Sequence, residues 1–246
     1  MTLLLWSHTL KQLHLSQAAW WLAIIGLIVL GSIDYKLIQD YLSLLSNGLI
    51  SGHTTHMGIT DDIVRPLMGY SLIYFVLAIP LVCLQILGFD KQMGFTQFLQ
   101  TCPIQPKDWI IGKYLGALTY LCLLQSLFAM MTLILLKGNH LDMGLFWSDQ
   151  LALFLINMSL LALGFLIGSL FGNPTLAAAV NLISNLALFM LQWFSPALAD
   201  FSLSQHTFGL LHGQCNTVDI GFFMLMTFLA LHFSIKLNHL EKAPHA

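Results

Sequence analysis

The chain has 246 residues, of which 57% are apolar and 8% charged, with a formal net charge of −2 and a mean hydropathy of +0.80. So few polar groups cannot cover a compact water-soluble body, and the solvent of this chain is therefore largely lipid. Nine scattered Lys and Arg residues exclude a nucleic-acid surface, which needs clustered cations.

Read in chain order, residues 1–17 carry one Lys, Lys11, and an apolar pattern broken by Ser7, His8, Gln12 and His14. They lack a secretory h-region and cleavage site and read as an interfacial amphipathic helix. Six apolar runs follow at about 18–38, 67–88, 109–136, 151–171, 176–194 and 220–235, each suited to one membrane crossing. Pro80 lies inside the second run and is expected to kink it. Asn173-Pro174 sets a tight turn between the fourth and fifth, with Asn as N-cap and Pro at the first helical position. The expected fold is thus all-α: a polytopic membrane protein forming one transmembrane domain over 1–246, with no large soluble domain.

Orientation follows from the cations, which stay on the cytoplasmic side. With the N-terminus inside, Lys11, Lys91, Lys107, Lys113, Lys236 and Lys242 fall inside and Lys36, Arg65 and Lys137 outside, so both termini are expected in the cytoplasm. The loop 39–66 is then external, as is 195–219, which mixes apolar and polar residues like short helices re-entering the interface. Residues 89–108 form the only substantial inner loop. Within it Phe95, Phe98 and Leu99 share a helical face, and Pro103 and Pro106 end the helix before the third span. That pattern suits a membrane-surface connector or a docking element for a soluble partner.

Gly112 and Gly116 form a GxxxG in the third span, and Gly164, Gly168 and Gly172 repeat it in the fourth; close helix packing is the default meaning. His53 and His56, with His140, His206 and His212 in other external segments, lack partners at metal-ligand spacing, and solvated histidines are the plainer reading, so no metal is expected. Cys83, Cys102, Cys122 and Cys215 suggest neither zinc nor a disulfide framework. Signatures for nucleotide hydrolysis, zinc proteolysis and serine hydrolysis are missing, and the chain is not expected to be an enzyme. Asp34, Lys36 and Asp149 sit near span ends and His232 is the nearest interior exception, which disfavours a proton- or sodium-driven transporter.

The inner stretch TCPIQPKDWIIGKYLGAL, 101–118, resembles the region after the second span in ABC-2 type transporter permeases. Asp90, Gly94, Thr101, Pro103, Gly112 and Lys113 stand at the family's positions, while Phe95 and Gln97 depart from it. The stretch SPALADFSLSQHTFGLLHGQCNTVDIGFF, 195–223, resembles the external loop of the gliding-motility (GldF-like) branch, with Ser202, His206, Gly213 and Asp219 matching and Leu211 and His212 departing. The resemblance implies a permease subunit of the bacterial inner membrane that pairs with a second permease copy or a related permease. It also implies a cytoplasmic ABC ATPase subunit that carries the ATP and Mg, with no cofactor in this chain, and the branch suggests an accessory envelope-facing membrane protein. By the same resemblance, Asp90, Gly94, Phe98, Thr101, Pro103 and Lys113 are the expected ATPase-coupling residues, and Ser202, His206 and Gly213 the expected external gate. The weighed alternatives are a non-transporting structural or assembly membrane factor and a membrane-embedded enzyme.

Overall fold

The computed structural model describes residues 2–46, 60–92, 106–134, 142–194 and 200–242, and among these there is no strand. In chain order the helices are α1 (Thr2–Leu15), α2 (Gln17–Ser46), α3 (Arg65–Gln92), α4 (Pro106–Ile134), α5 (Met143–Leu170), α6 (Pro174–Phe194), α7 (Leu203–Leu211) and α8 (Thr217–Lys242). A π-helical turn, Thr60–Val64, leads into α3. Six of them, α2 to α6 and α8, are long and apolar enough to cross a membrane. This is the form lipid demands, since a helix satisfies its own backbone polar groups. An even number of crossings puts the start of α2 and the end of α8 on the same side.

The helices start and stop for local reasons. Asp142 caps α5 by accepting hydrogen bonds from Gly144 N (2.9 Å) and Leu145 N (3.3 Å). Asn173 accepts from Thr175 N at 3.0 Å, so the expected Asn cap with Pro174 at the first helical position is the observed start of α6. α3 continues through Pro80 as one helix.

Helix α5 is the centre of the bundle: 72% of its apolar stretch is buried, against 22%, 17% and 22% in α2, α6 and α8, which present most of their surface outward. Phe75, Ile79, Leu121, Leu153, Leu160 and Leu161 form the middle of the core around it. Tyr74, Phe75 and Phe128 meet there with ring centroids 5.3–5.7 Å apart. Tyrosine hydroxyls tie neighbouring helices through backbone carbonyls, Tyr74 to Leu22 (2.8 Å), Tyr114 to Met158 (2.9 Å) and Tyr120 to Ala19 (2.7 Å). The Gln125 amide donates to the Gln150 carbonyl at 2.7 Å, and Asn157 donates to Gln125 Oε1 at 3.4 Å.

The glycine motifs resolve unequally. At Gly112 and Gly116 a Cβ would lie 2.7 Å from Leu5 Cβ and Thr9 Cβ respectively, so this pair seats α1 against α4. Gly164 and Gly168 face Cys83 and Asn181, and Leu87, and let α3 and α6 approach α5. Gly172 has nothing within 4 Å and contributes no close approach.

The helices also correct the expectation that span interiors are nearly free of ionisable groups. Asp34 and Lys113 lie inside the expected runs, and α5 begins at Met143 and takes in Asp149, so all three are within the spans, at 9%, 2% and 0% exposure. Asp149 has the guanidinium of Arg65, at the head of α3, as its opposite charge. His232 lies on the outward face of α8, stacked on Phe228 with centroids 6.1 Å apart.

Candidate functional site

Two places carry the candidate residues, one at each end of the bundle. At the end bearing α1, the third span begins with Pro106 as α4, preceded by residues 93–105. Gly94, Phe98, Thr101 and Pro103 lie outside the described residues, as do His53, His56, His140 and Cys102. Asp90 falls in the last turns of α3.

Lys113 is the coupling candidate whose side chain is placed. It is buried at 2% exposure with its Nζ 5.0 Å from the Trp109 ring centroid, a cation–π contact one turn back along α4. On the adjacent face of α4, Gly112 and Gly116 receive α1 so closely that a Cβ at Gly112 would stand 3.0 Å from the Thr2 carbonyl and one at Gly116 3.1 Å from the Trp6 carbonyl. Thr9 and Leu13 of α1 are fully buried in this contact, and the Trp6 indole donates to Thr119 Oγ1 at 3.2 Å. The first helix is thus docked on the third span along one face, while Leu3, Leu4 and Leu15 remain exposed on the other as an interfacial helix requires. Residues 93–105 therefore feed directly into a helix that carries α1 with it. The sequence pattern marked Gly112 and Gly116 as a packing face; it contained nothing to identify α1 as the partner.

At the other end, the short helix α7 is held by three neighbours. Ser148 of α5 donates to the Leu210 carbonyl at 2.6 Å, and Gln192 of α6 donates to Ser204 Oγ at 2.9 Å. The third tie is His206, whose Nδ1 is 2.6 Å from Asp219 Oδ1 in the first turn of α8, while Nε2 is 2.8 Å from the Asp200 carbonyl. Both partners are acceptors, so the imidazolium satisfies both contacts and either neutral tautomer only one. The ring stacks on Phe222, centroids 4.1 Å apart, and meets Phe223 edge-on.

Ser202 stands at the N-cap of α7, fully buried and making no side-chain cap hydrogen bond. Gly213 ends α7 with φ +77°, the left-handed conformation of a Schellman cap, in which Gln214 N donates to the Gly209 carbonyl (2.9 Å) and Gly213 N to the Leu210 carbonyl (3.0 Å). The structure thus gathers Ser202 and His206 with Asp219 around one helix, while Gly213 shapes the turn that returns the chain to α8. Replacing Gly213 by alanine is expected to cost about 1 kcal/mol, because a Cβ disfavours that φ. A parallel Gly221→Ala exchange inside α8, where nothing lies within 4 Å of the added carbon, should instead raise stability by up to about 1 kcal/mol through helix propensity. His206 and His212 share no face: His212 bonds back to the Phe208 carbonyl at 2.7 Å. Among the described residues no three His, Cys, Asp or Glu side chains converge as metal ligands.

No curated protein matches the chain in sequence at a significant level. Residues 54–238 match the family model described as ABC-2 family transporter protein. That stretch is 185 of the 246 residues and contains α3 through most of α8, with α7 and its ties, Gly112, Lys113 and Gly116, while α1 and α2 precede it. Six membrane-length helices around a buried central span, together with this match, make the chain a multi-pass membrane protein that belongs to the ABC-2 family of transporter proteins.

Proposed function

We propose that the chain is the permease subunit of an ATP-driven transporter, energised by a separate cytoplasmic ABC ATPase that holds the ATP and Mg. The observation that carries this reading is the family match across residues 54–238, because membrane subunits of this family work with an ABC ATPase. The chain lies in the bacterial inner membrane with both termini in the cytoplasm, as the distribution of Lys and Arg favours. It pairs with a second permease copy or a related permease, and ATP-driven closure of the ATPases rocks the two against each other, exporting a substrate or working on an envelope-facing membrane partner. The GldF-like likeness of residues 195–223 supports such a partner.

In this reading the ATPase docks on the inner segment through Asp90, Gly94, Phe98, Thr101 and Pro103. Lys113 is buried, so its part is to transmit displacement along α4 rather than to touch the ATPase. The docking of α1 on Gly112 and Gly116 supports this, since a push at the head of α4 moves α1 as well. At the far end, Ser202, His206 and Gly213 serve an external gate, whose ties to α5, α6 and α8 must be broken or carried along when the spans move.

The test is co-purification. Phe98→Asp and Thr101→Pro are expected to abolish association with the ATPase while the protein still inserts in the membrane. Normal association in both variants, in mild detergent, rejects the docking assignment. A wild-type protein that never isolates with an ATPase rejects the coupled-permease reading itself.

A further inference from the structure

Two hollows on the α2–α3 side of the bundle join into one amphipathic track. The first, of about 660 Å³, runs between α2 and α3 and is lined by apolar side chains such as Trp21, Ile25, Val29, Ile73, Leu77 and Leu81. From Gln85 to Tyr70 it follows sixteen residues of α3, about 22 Å at 1.5 Å per residue, against about 15 Å for the hydrocarbon of one leaflet. The second, of about 810 Å³, opens where α1, the end of α3 and the start of α6 meet, and its largely apolar wall also carries the polar groups of His8, Lys11, Gln12, Ser16, Gln85 and Thr175. Leu84 and Gln85 belong to both, and the Ser16 hydroxyl donates to Gln85 Oε1 at 2.9 Å at their junction.

We propose that this track binds one anionic phospholipid, with its acyl chains between α2 and α3 and its headgroup in the recess under α1. Charge selects the headgroup: Lys11 and His8 line the recess, among the described side chains no carboxylate does, and the N-terminus of α6 adds its partial positive charge. Depth selects the tail, because an apolar groove inside a membrane-spanning segment is bathed in hydrocarbon and is filled by it. The lipid would then contact α1, α2 and α3 together and stabilise the position of α1 that packs against α4. The inference depends on the membrane-spanning fold and not on the ATPase reading.

The experiment is to place the full chain in nanodiscs of equal parts phosphatidylglycerol and phosphatidylcholine, release it gently, and count retained lipids by native mass spectrometry. The wild type is expected to keep one lipid per chain, with phosphatidylglycerol preferred roughly fivefold, the contribution of one basic residue at an anionic headgroup. Lys11→Glu removes the preference; Leu77→Trp, on the exposed wall of the groove, lowers retention of both lipids; Lys236→Glu, away from the recess, leaves both unchanged. Equal retention of the two lipids by the wild type overturns the proposal, as does retention unaffected by both Lys11→Glu and Leu77→Trp. So does a dimer whose α2–α3 face is covered by a second copy with no lipid held.

Discussion

Replacing Arg65 by alanine is expected to destabilise the protein by about 1–2 kcal/mol, by removing the positive charge that acts on the buried Asp149 carboxyl. Asp149 is fully buried on α5. Arg65, at the head of α3, supplies the opposing charge. A tie sits at the same end, where Asp142 N donates to Thr60 Oγ1 at 3.2 Å. The measurement is thermal unfolding in detergent, followed by the reactivity of the buried Cys83 thiol toward a fluorogenic maleimide above the background of exposed Cys215. Arg65→Ala should lower the midpoint by roughly 5 °C. The diagnostic variant is the double exchange Arg65→Ala with Asp149→Asn. It removes the carboxyl on which Arg65 acts and should recover most of the loss. A double variant as unstable as Arg65→Ala alone would show that Arg65 acts through packing.

The six spans were legible because lipid leaves the backbone little alternative to a helix, so a run of apolar residues is itself the structural signal. The same signal misplaced the ends. The fourth span read as starting at 151 because Trp147, Ser148, Asp149 and Gln150 interrupt its apolar run, yet α5 begins at Met143 and buries Ser148 and Asp149 against partners on other elements. Ser148 bonds the Leu210 carbonyl, and Asp149 faces the charge of Arg65. Neither pairing is written in local hydropathy, since both join residues more than 60 positions apart. The cap at Asn173-Pro174 was legible because its geometry is local. At the end bearing α7, Ser202, His206 and Asp219 were marked by pattern, but the pairing of the His206 ring with Asp219 rests on how α7 packs against α8. The coupling candidates Gly94, Phe98, Thr101 and Pro103 rest on the family resemblance, while Lys113 is the coupling candidate whose side chain is placed, and it is placed inside.

The glycine motifs offer the sharper test of what sequence pattern means in this bundle, because chemically alike residues occupy unlike surroundings. Gly116→Leu is expected to detach or displace α1. Its Cβ alone would stand 2.7 Å from Thr9 Cβ and 3.1 Å from the Trp6 carbonyl, and a backbone carbonyl cannot swing aside as a side chain can. Overpacking of this kind costs about 1–3 kcal/mol. Gly116→Ala is informative in sign. In a helix free on that face, alanine would stabilise by up to about 1 kcal/mol through propensity. Against α1, the added methyl should outweigh that gain and destabilise. Gly172→Leu, in the turn after α5 with nothing within 4 Å, should change stability little. The readout is the rate of tryptic cleavage at Lys11 in reconstituted protein, since this bond lies within α1 and is protected only while that helix holds its fold. Cleavage should accelerate severalfold in Gly116→Leu and stay at the wild-type rate in Gly172→Leu. If both variants were cleaved at the wild-type rate, α1 would be held by its exposed leucines in the membrane surface and not by α4. Movement at the head of the third span would then have no route to the N-terminal helix.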